Sequence, residues 1–345
     1  MAGKPLLRIL AILLGIVSAF MALCLAAGFL MGEGDRTLRA FAIPVGIGAG
    51  GLALAWIGKV TRRRISLPPR DGFLFVALAW VFASALGALP FTLAGTMSYV
   101  DAFFETISGF TTTGASILSD IEVIPKSLLL WRSTTHWLGG MGIVVLTVAI
   151  LPLLGVGGLG LMEAEAPGPS VDKITPRISS TAKILWLIYV ALTVLEILLL
   201  MAGGMDWFDA VTHTFGTMAT GGFSPKNLSV GHYRSGYIDV VITVFMLAAG
   251  LNFSLYYRLL SGKAVSAFRD TEARTYLGIF SVAALLIAWD LWRAGTYEEF
   301  GASLRYAGFQ ASSILTTTGF ATADFAKWPP LSQTILFLLM FVGGC

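Results

Sequence analysis

Thr111-Thr112-Thr113-Gly114-Ala115 recurs further along the chain as Ala219-Thr220-Gly221-Gly222-Phe223, and again as Thr316-Thr317-Thr318-Gly319-Phe320. Each phrase lies between two apolar stretches long enough to cross a bilayer. Threonine and glycine are common, so one such phrase would mark no more than a turn. Three in the same context and the same sense describe one structural unit copied along the chain. A Thr-Gly loop between two spans is a way to line an ion path with backbone carbonyls, which replace the water of a dehydrated monovalent cation without adding full charges. Non-helical backbone at membrane depth is tolerated only where it is buried in protein or lines water.

Composition agrees. Of the 345 residues, 56% are hydrophobic and only 12% charged, and the mean hydropathy is +0.80. A soluble domain carries roughly twice that charge fraction. The net charge of +3 contains no basic block dense enough for nucleic acid. Cys24 and Cys345 support neither a disulfide framework nor a metal site. The apolar run Ile9–Leu30 is longer than the core of a signal peptide and reads as a retained first span.

Spans are expected near 5–31, 38–59, 72–95, 127–157, 182–204, 236–260, 274–293 and from 331 onward. The segments 100–112, 207–219 and 299–316 are too short or too polar to cross, and each runs into a Thr-Gly phrase. The expected fold is an all-α polytopic membrane protein made of parallel membrane–pore-loop–membrane repeats, as in potassium channels, with two extra N-terminal transmembrane helices. The expected units are residues 1–70 for that leading pair, 71–165 for repeat 1, 166–265 for repeat 2 and 266–345 for an incomplete repeat 3. With the N-terminus cytoplasmic, most Lys and Arg, including Arg62, Arg63, Arg64, Arg258, Lys263 and Arg269, fall on the cytoplasmic side. The positive-inside rule favours that orientation. The last apolar run, Leu331–Cys345, would rise only about 22 Å as a helix, short of the ~30 Å hydrocarbon core. A truncated record of a longer protein is therefore expected.

The ion-binding candidates are Thr111, Thr112, Thr113 and Gly114; Met218, Ala219, Thr220 and Gly221; and Thr316, Thr317, Thr318 and Gly319. Gly114, Gly221 and Gly319 are expected to supply the left-handed backbone that turns carbonyls toward an axis. The short helices before the loops would aim their negative dipole ends at the ion. The acids Asp101, Glu105, Asp206, Asp209, Glu298 and Glu299, with Asp120, Glu122 and Asp324, either make the outer mouth negative or sit as ordinary helix N-terminal residues. Gly139-Gly140, Gly250 and Gly343-Gly344 allow either close helix packing or a flexible point under the filter. Glu196 is a lone intramembrane acid and should face protein. His136, His213 and His232 have no metal-ligand spacing and read as structural.

Several stretches together resemble the Trk/Ktr/HKT superfamily of potassium transporters, specifically its TrkH type. They are Phe103-Phe104-Glu105-Thr106 with Ser108 to Ala115, His136-Trp137-Leu138-Gly139-Gly140-Met141-Gly142, Phe215 to Ser224, Thr316 to Phe320, and Phe341-Val342-Gly343-Gly344-Cys345. The two leading spans also look like the extra pair of that type. The resemblance implies K+ uptake across the plasma membrane through four repeats with one filter glycine each. It also implies a homodimer with a pore in each subunit, and a cytoplasmic nucleotide-binding regulatory partner of TrkA type. It implies a gating loop in the second span of repeat 3, whose leading edge would be Gly343, Gly344 and Cys345. The fourth repeat is absent from this sequence, and Met218 and Ala219 stand where the other loops carry threonine. Rival readings are a Na+-conducting or Na+-coupled relative, a polytopic membrane enzyme and a non-conducting assembly subunit. The enzyme reading would need a convergent acid, nucleophile or metal set, and the spans supply only Glu196, with His136 at the periphery.

Overall fold

The computed structural model describes residues 3–57, 69–142, 178–262 and 269–343. All regular structure among these residues is helical. In chain order the helices are α1 (Gly3–Leu30), α2 (Asp35–Ile57), α3 (Pro69–Ala94), α4 (Tyr99–Phe110), α5 (Lys126–Gly140), α6 (Ile178–Ala202), α7 (Trp207–Met218), α8 (Gly236–Ala249), α9 (Phe253–Leu260), α10 (Thr271–Arg293), α11 (Phe300–Leu315) and α12 (Pro330–Val342). Five of them contain a stretch long and apolar enough to span a bilayer: Leu7–Leu30, Asp35–Leu54, Leu74–Ala94, Lys183–Ala202 and Thr271–Arg293. The order is span, short helix, loop, helix, repeated three times after a leading pair. The second half of the expected 127–157 span lies outside the described residues.

The chain divides into two compact units, Met1–Trp186 and Leu187–Cys345. In the first, α1 and α2 form a hairpin, and α3 and α5 enclose α4. Small residues let the backbones approach. A Cβ on Gly48 would fall 1.7 Å from Ser18 Oγ, and one on Gly87 would fall 2.5 Å from Thr106 Cγ2. Packing of this kind takes the place of the hydrophobic driving force that lipid removes. Phe110, the last residue of α4, is fully buried between Trp80 and Trp131. The Trp131 indole N–H donates to the Gly87 carbonyl at 2.9 Å, which anchors α5 to α3.

In the second unit α11 packs against α8, α10 and α12. Its core joins Ala284, Ile287, Ala288 and Leu291 of α10 to Ala307, Ala311 and Leu315 of α11 and Leu336 and Leu339 of α12. The partner of α8 in this packing is thus the short helix of the next repeat.

One expected span is broken. Residues 236–260 form α8 and α9, which meet at 94° across Gly250-Leu251-Asn252. Asn252 caps α9 by accepting from the Ser254 N–H at 3.0 Å. The last carbonyls of a helix lack intrahelical partners, and two of those ending α8 are met by tyrosine hydroxyls. Tyr256 donates to Ala248 O at 2.6 Å and Tyr276 to Leu247 O at 3.3 Å.

At Gly139 and Gly343 close packing is realised. A Cβ on Gly139 would lie 2.1 Å from the Phe110 carbonyl oxygen, and one on Gly343 would lie 1.9 Å from that of Leu315. Both glycines seat the end of a second helix directly on the end of a short helix. Gly344 and Cys345 lie outside the described residues. Gly139→Ala and Gly343→Ala should each destabilise the detergent-solubilised protein by about 1–3 kcal/mol, the usual cost of overpacking. Thermal unfolding checks this, with Gly46→Ala as a control, since its Cβ would meet nothing within 4 Å.

Candidate functional site

The three short helices end alike. Their C-caps are Thr111, Ala219 and Thr316. The next residue in each case is a threonine in the left-handed region: Thr112 (φ 53°), Thr220 (φ 52°) and Thr317 (φ 58°). Each donates its N–H to the carbonyl three residues back, at 3.0, 2.9 and 3.1 Å for Gly109, Thr217 and Ile314. Two residues on comes a left-handed glycine: Gly114 (φ 74°), Gly222 (φ 78°) and Gly319 (φ 82°). Backbone that returns to positive φ at alternate residues cannot continue a helix. A non-glycine residue held at positive φ is costly, and such residues gather where strain serves a site.

This register corrects the sequence reading of the second loop. Gly222, not Gly221, has the conformation of Gly114 and Gly319, so the equivalent stretch is Ala219–Gly222 rather than Met218–Gly221. Met218 is the buried last residue of α7, in the place of Phe110 and Leu315. The phrase Ala-Thr-Gly-Gly-Phe can be matched on its first or its second glycine. Phe223, aligned with Phe320 after the loop glycine, was the signal for the second.

A polar side chain in the middle of each short helix straps the chain that leaves the loop. Glu105 accepts from Ser116 Oγ at 2.9 Å and from the Ile117 N–H at 3.2 Å. His213 Nε2 lies 3.0 Å from Ser224 Oγ, and Gln310 Oε1 accepts from the Thr322 N–H at 3.3 Å. All three sit the same distance ahead of their left-handed threonine, and all are buried. His213 Nδ1 lies 2.8 Å from the Asp209 carbonyl. A carbonyl only accepts, so Nδ1 carries the proton and Nε2 accepts from Ser224. Burial pushes the imidazole pKa down to about 4, so the ring is neutral at pH 7.

Several acids expected at the mouth are otherwise engaged. Glu105 forms a buried pair with Arg132 of α5, Nε to Oε1 at 2.6 Å. Asp209 is buried between Lys226 Nζ at 3.0 Å and the Tyr233 hydroxyl at 2.5 Å. Asp206 caps α7 through the Asp209 N–H at 2.6 Å. Asp324 accepts from the Ala326 N–H and pairs with Lys327. These carboxylates fix the frame around the loops; Asp101, in the first turn of α4, accepts from Ser98 Oγ at 2.7 Å, and Glu298 and Glu299 are exposed just ahead of α11. Sequence reading missed the Glu105–Arg132 strut, because nothing in the spacing of residues so far apart marks a pair. Glu196 is fully buried beside Thr217 of α7, facing protein as expected.

Short re-entrant helices, each ending in a left-handed Thr-x-Gly loop between membrane helices, define a polytopic protein of the pore-loop class. The family model described as TrkH, a cation transport protein, matches residues 52–290 and 298–345. The chain belongs to that family. It is 42% identical over 349 aligned positions to the Trk system potassium uptake protein TrkH of Halomonas elongata, covering all of this chain and 72% of that protein. It is 42% identical over 318 positions to the protein of the same name in Escherichia coli strain K12, covering 91% of this chain and 65% of the relative. Among solved structures it is similar to the crystal structure of the potassium transporter TrkH from Vibrio parahaemolyticus. That match has a TM-score of 0.81 and 34% identity, over 100% of this chain and 71% of the other.

Breaking a buried ion pair from one side leaves an uncompensated charge, at a cost of about 3–5 kcal/mol. Arg132→Met should therefore lower stability by that order. Adding Glu105→Gln should recover most of the loss, since a neutral amide still accepts from Ile117. Thermal melts of the two variants check this, and a double variant no more stable than Arg132→Met would refute it.

Proposed function

We propose that this chain is the pore-bearing part of a potassium uptake protein of the plasma membrane. The observation that carries the proposal is one backbone conformation, built three times at the end of a buried short helix. Thr111–Gly114, Ala219–Gly222 and Thr316–Gly319 are three of the four filter segments. Their carbonyls replace the hydration shell of K+, and the C-terminal ends of α4, α7 and α11 add a negative field. The chain spans 65% of the Escherichia coli relative's length and 72% of the Halomonas relative's. The names of those relatives favour K+ over Na+ as the transported ion.

In this reading the N-terminus is cytoplasmic and the loops open outward, as the positive-inside distribution favours. The working unit is a homodimer with one pore per subunit, regulated by a cytoplasmic nucleotide-binding partner of TrkA type. Gly343, Gly344 and Cys345 begin the gating segment of repeat 3. The close approach of Gly343 to the Leu315 carbonyl, one residue before the third loop, supports that reading.

The test is Rb+ uptake, with K+ and Na+ as competitors, in potassium-uptake-deficient bacteria expressing the complete gene. Gly114→Ser, Gly222→Ser and Gly319→Ser should each weaken K+ over Na+ discrimination at least about tenfold, the equivalent of roughly 1.4 kcal/mol. Gly221→Ser, at ordinary φ, should do so less than Gly222→Ser. Unchanged discrimination in all three of the first variants would remove these loops from the ion path.

A further inference from the structure

The three loops share a backbone but not the bonds that hold it. Loop 1 is pinned from within: Ser108 Oγ donates to the Ala115 carbonyl at 2.6 Å, and the Thr111 and Thr113 hydroxyls pair at 2.8 Å. Loop 3 repeats both bonds, Ser313 Oγ to the Phe320 carbonyl at 2.6 Å and Thr316 to Thr318 at 2.7 Å. In loop 2 the three hydroxyl-bearing positions are Gly216, Ala219 and Gly221, so neither pin can form.

Loop 2 is seated instead by close contact, much of it with loop 3. A Cβ on Gly222 would lie 1.9 Å from the Thr318 carbonyl oxygen. A Cβ on Gly216 would lie 2.8 Å from the Phe223 carbonyl oxygen and 2.9 Å from Phe320 Cζ. Beyond the loops the Gly231 N–H donates to Ala321 O at 3.0 Å, and the Ala321 N–H donates to Ser229 Oγ at 3.3 Å.

We propose that Gly216, Ala219 and Gly221 are specificity-determining positions. They leave the second loop as the compliant segment of the filter, held in place by the third. The inference rests on the filter assignment above. Hydroxyl pins resist displacement along specific directions, whereas a van der Waals seat resists only compression. Contraction around the smaller Na+ therefore begins at loop 2, and loop 3 carries the alignment of two segments. The Thr318 carbonyl, one of the ion ligands, is the surface on which Gly222 rests.

Ala219→Thr combined with Gly221→Thr gives loop 2 the threonine pair of the other loops. In the Rb+ uptake assay, with the complete gene, the ratio of Na+ to K+ inhibition constants should rise about three- to tenfold, the worth of one net hydrogen bond. A ratio unchanged or lowered in protein that reaches the membrane would overturn the inference. If that variant does not reach the membrane, stripping pins decides the matter. Ser313→Ala with Thr316→Ala in loop 3 should lower the ratio further than Ser108→Ala with Thr111→Ala in loop 1, because loop 3 supports two segments. Equal falls would overturn it. Failure of this inference is distinguishable from failure of the filter assignment: the latter appears as unchanged discrimination in Gly114→Ser and Gly319→Ser.

Discussion

Backbone that leaves a helix inside a bilayer has no water to satisfy its N–H and C=O groups, and each unsatisfied group costs several kcal/mol. That constraint shapes every element around the three loops. The N–H of the left-handed threonine that follows each C-cap reaches back three residues to a helix carbonyl. The chain leaving each loop is tied down by Glu105, His213 or Gln310. The two left-handed residues in each loop, a threonine and then a glycine at alternate positions, turn the backbone out of helical geometry.

Holding that geometry requires a rigid surround, built differently in each repeat. Repeat 1 uses a buried charge pair, Glu105 with Arg132, to join the short helix to the helix that follows. Repeat 2 uses a neutral imidazole and the surface-proximal trio of Asp209, Lys226 and Tyr233. Repeat 3 uses an uncharged amide and a core of alanine and leucine. One backbone solution, copied three times, has accepted three side-chain chemistries. The copies are equivalent in shape and unequal in stiffness.

How much of this was readable from the residues follows from the range of the forces involved. Spans, short helices and Thr-Gly loops are local patterns, written in apolar run lengths and in the identities of a few neighbouring residues; α1, α2, α3, α6 and α10 and the three short helices lie close to where they are expected, whereas 236–260 is broken and 127–157 is described only in its first half. The register of loop 2 was misread because two adjacent glycines satisfy the same pattern. The helix end at the buried Met218 separates them in the structure, and Phe223 is their mark in the sequence. The break at Gly250 is only half legible: the glycine marks a possible flexible point, but residues 236–260 are apolar enough to read as one span, and the tyrosine hydroxyls that compensate the break come from Tyr256 and Tyr276. The struts at Glu105 and Asp209 are contacts across sequence distance, for which a single sequence carries no signal. The acids themselves were legible; their engagement was not.

The contacts at Gly139 and Gly343 have a mechanical meaning. At each, one main chain bears on another with only a hydrogen atom between them. Side chains elsewhere can absorb a small shift by changing rotamer, but this joint contains none. A movement of a few tenths of an ångström at the end of α12 has no slack to take up before it reaches the Leu315 carbonyl, and the next residue, Thr316, begins the third loop. The glycine works as a bearing without clearance, so displacements arising beneath the loop arrive at its first residue almost undiminished.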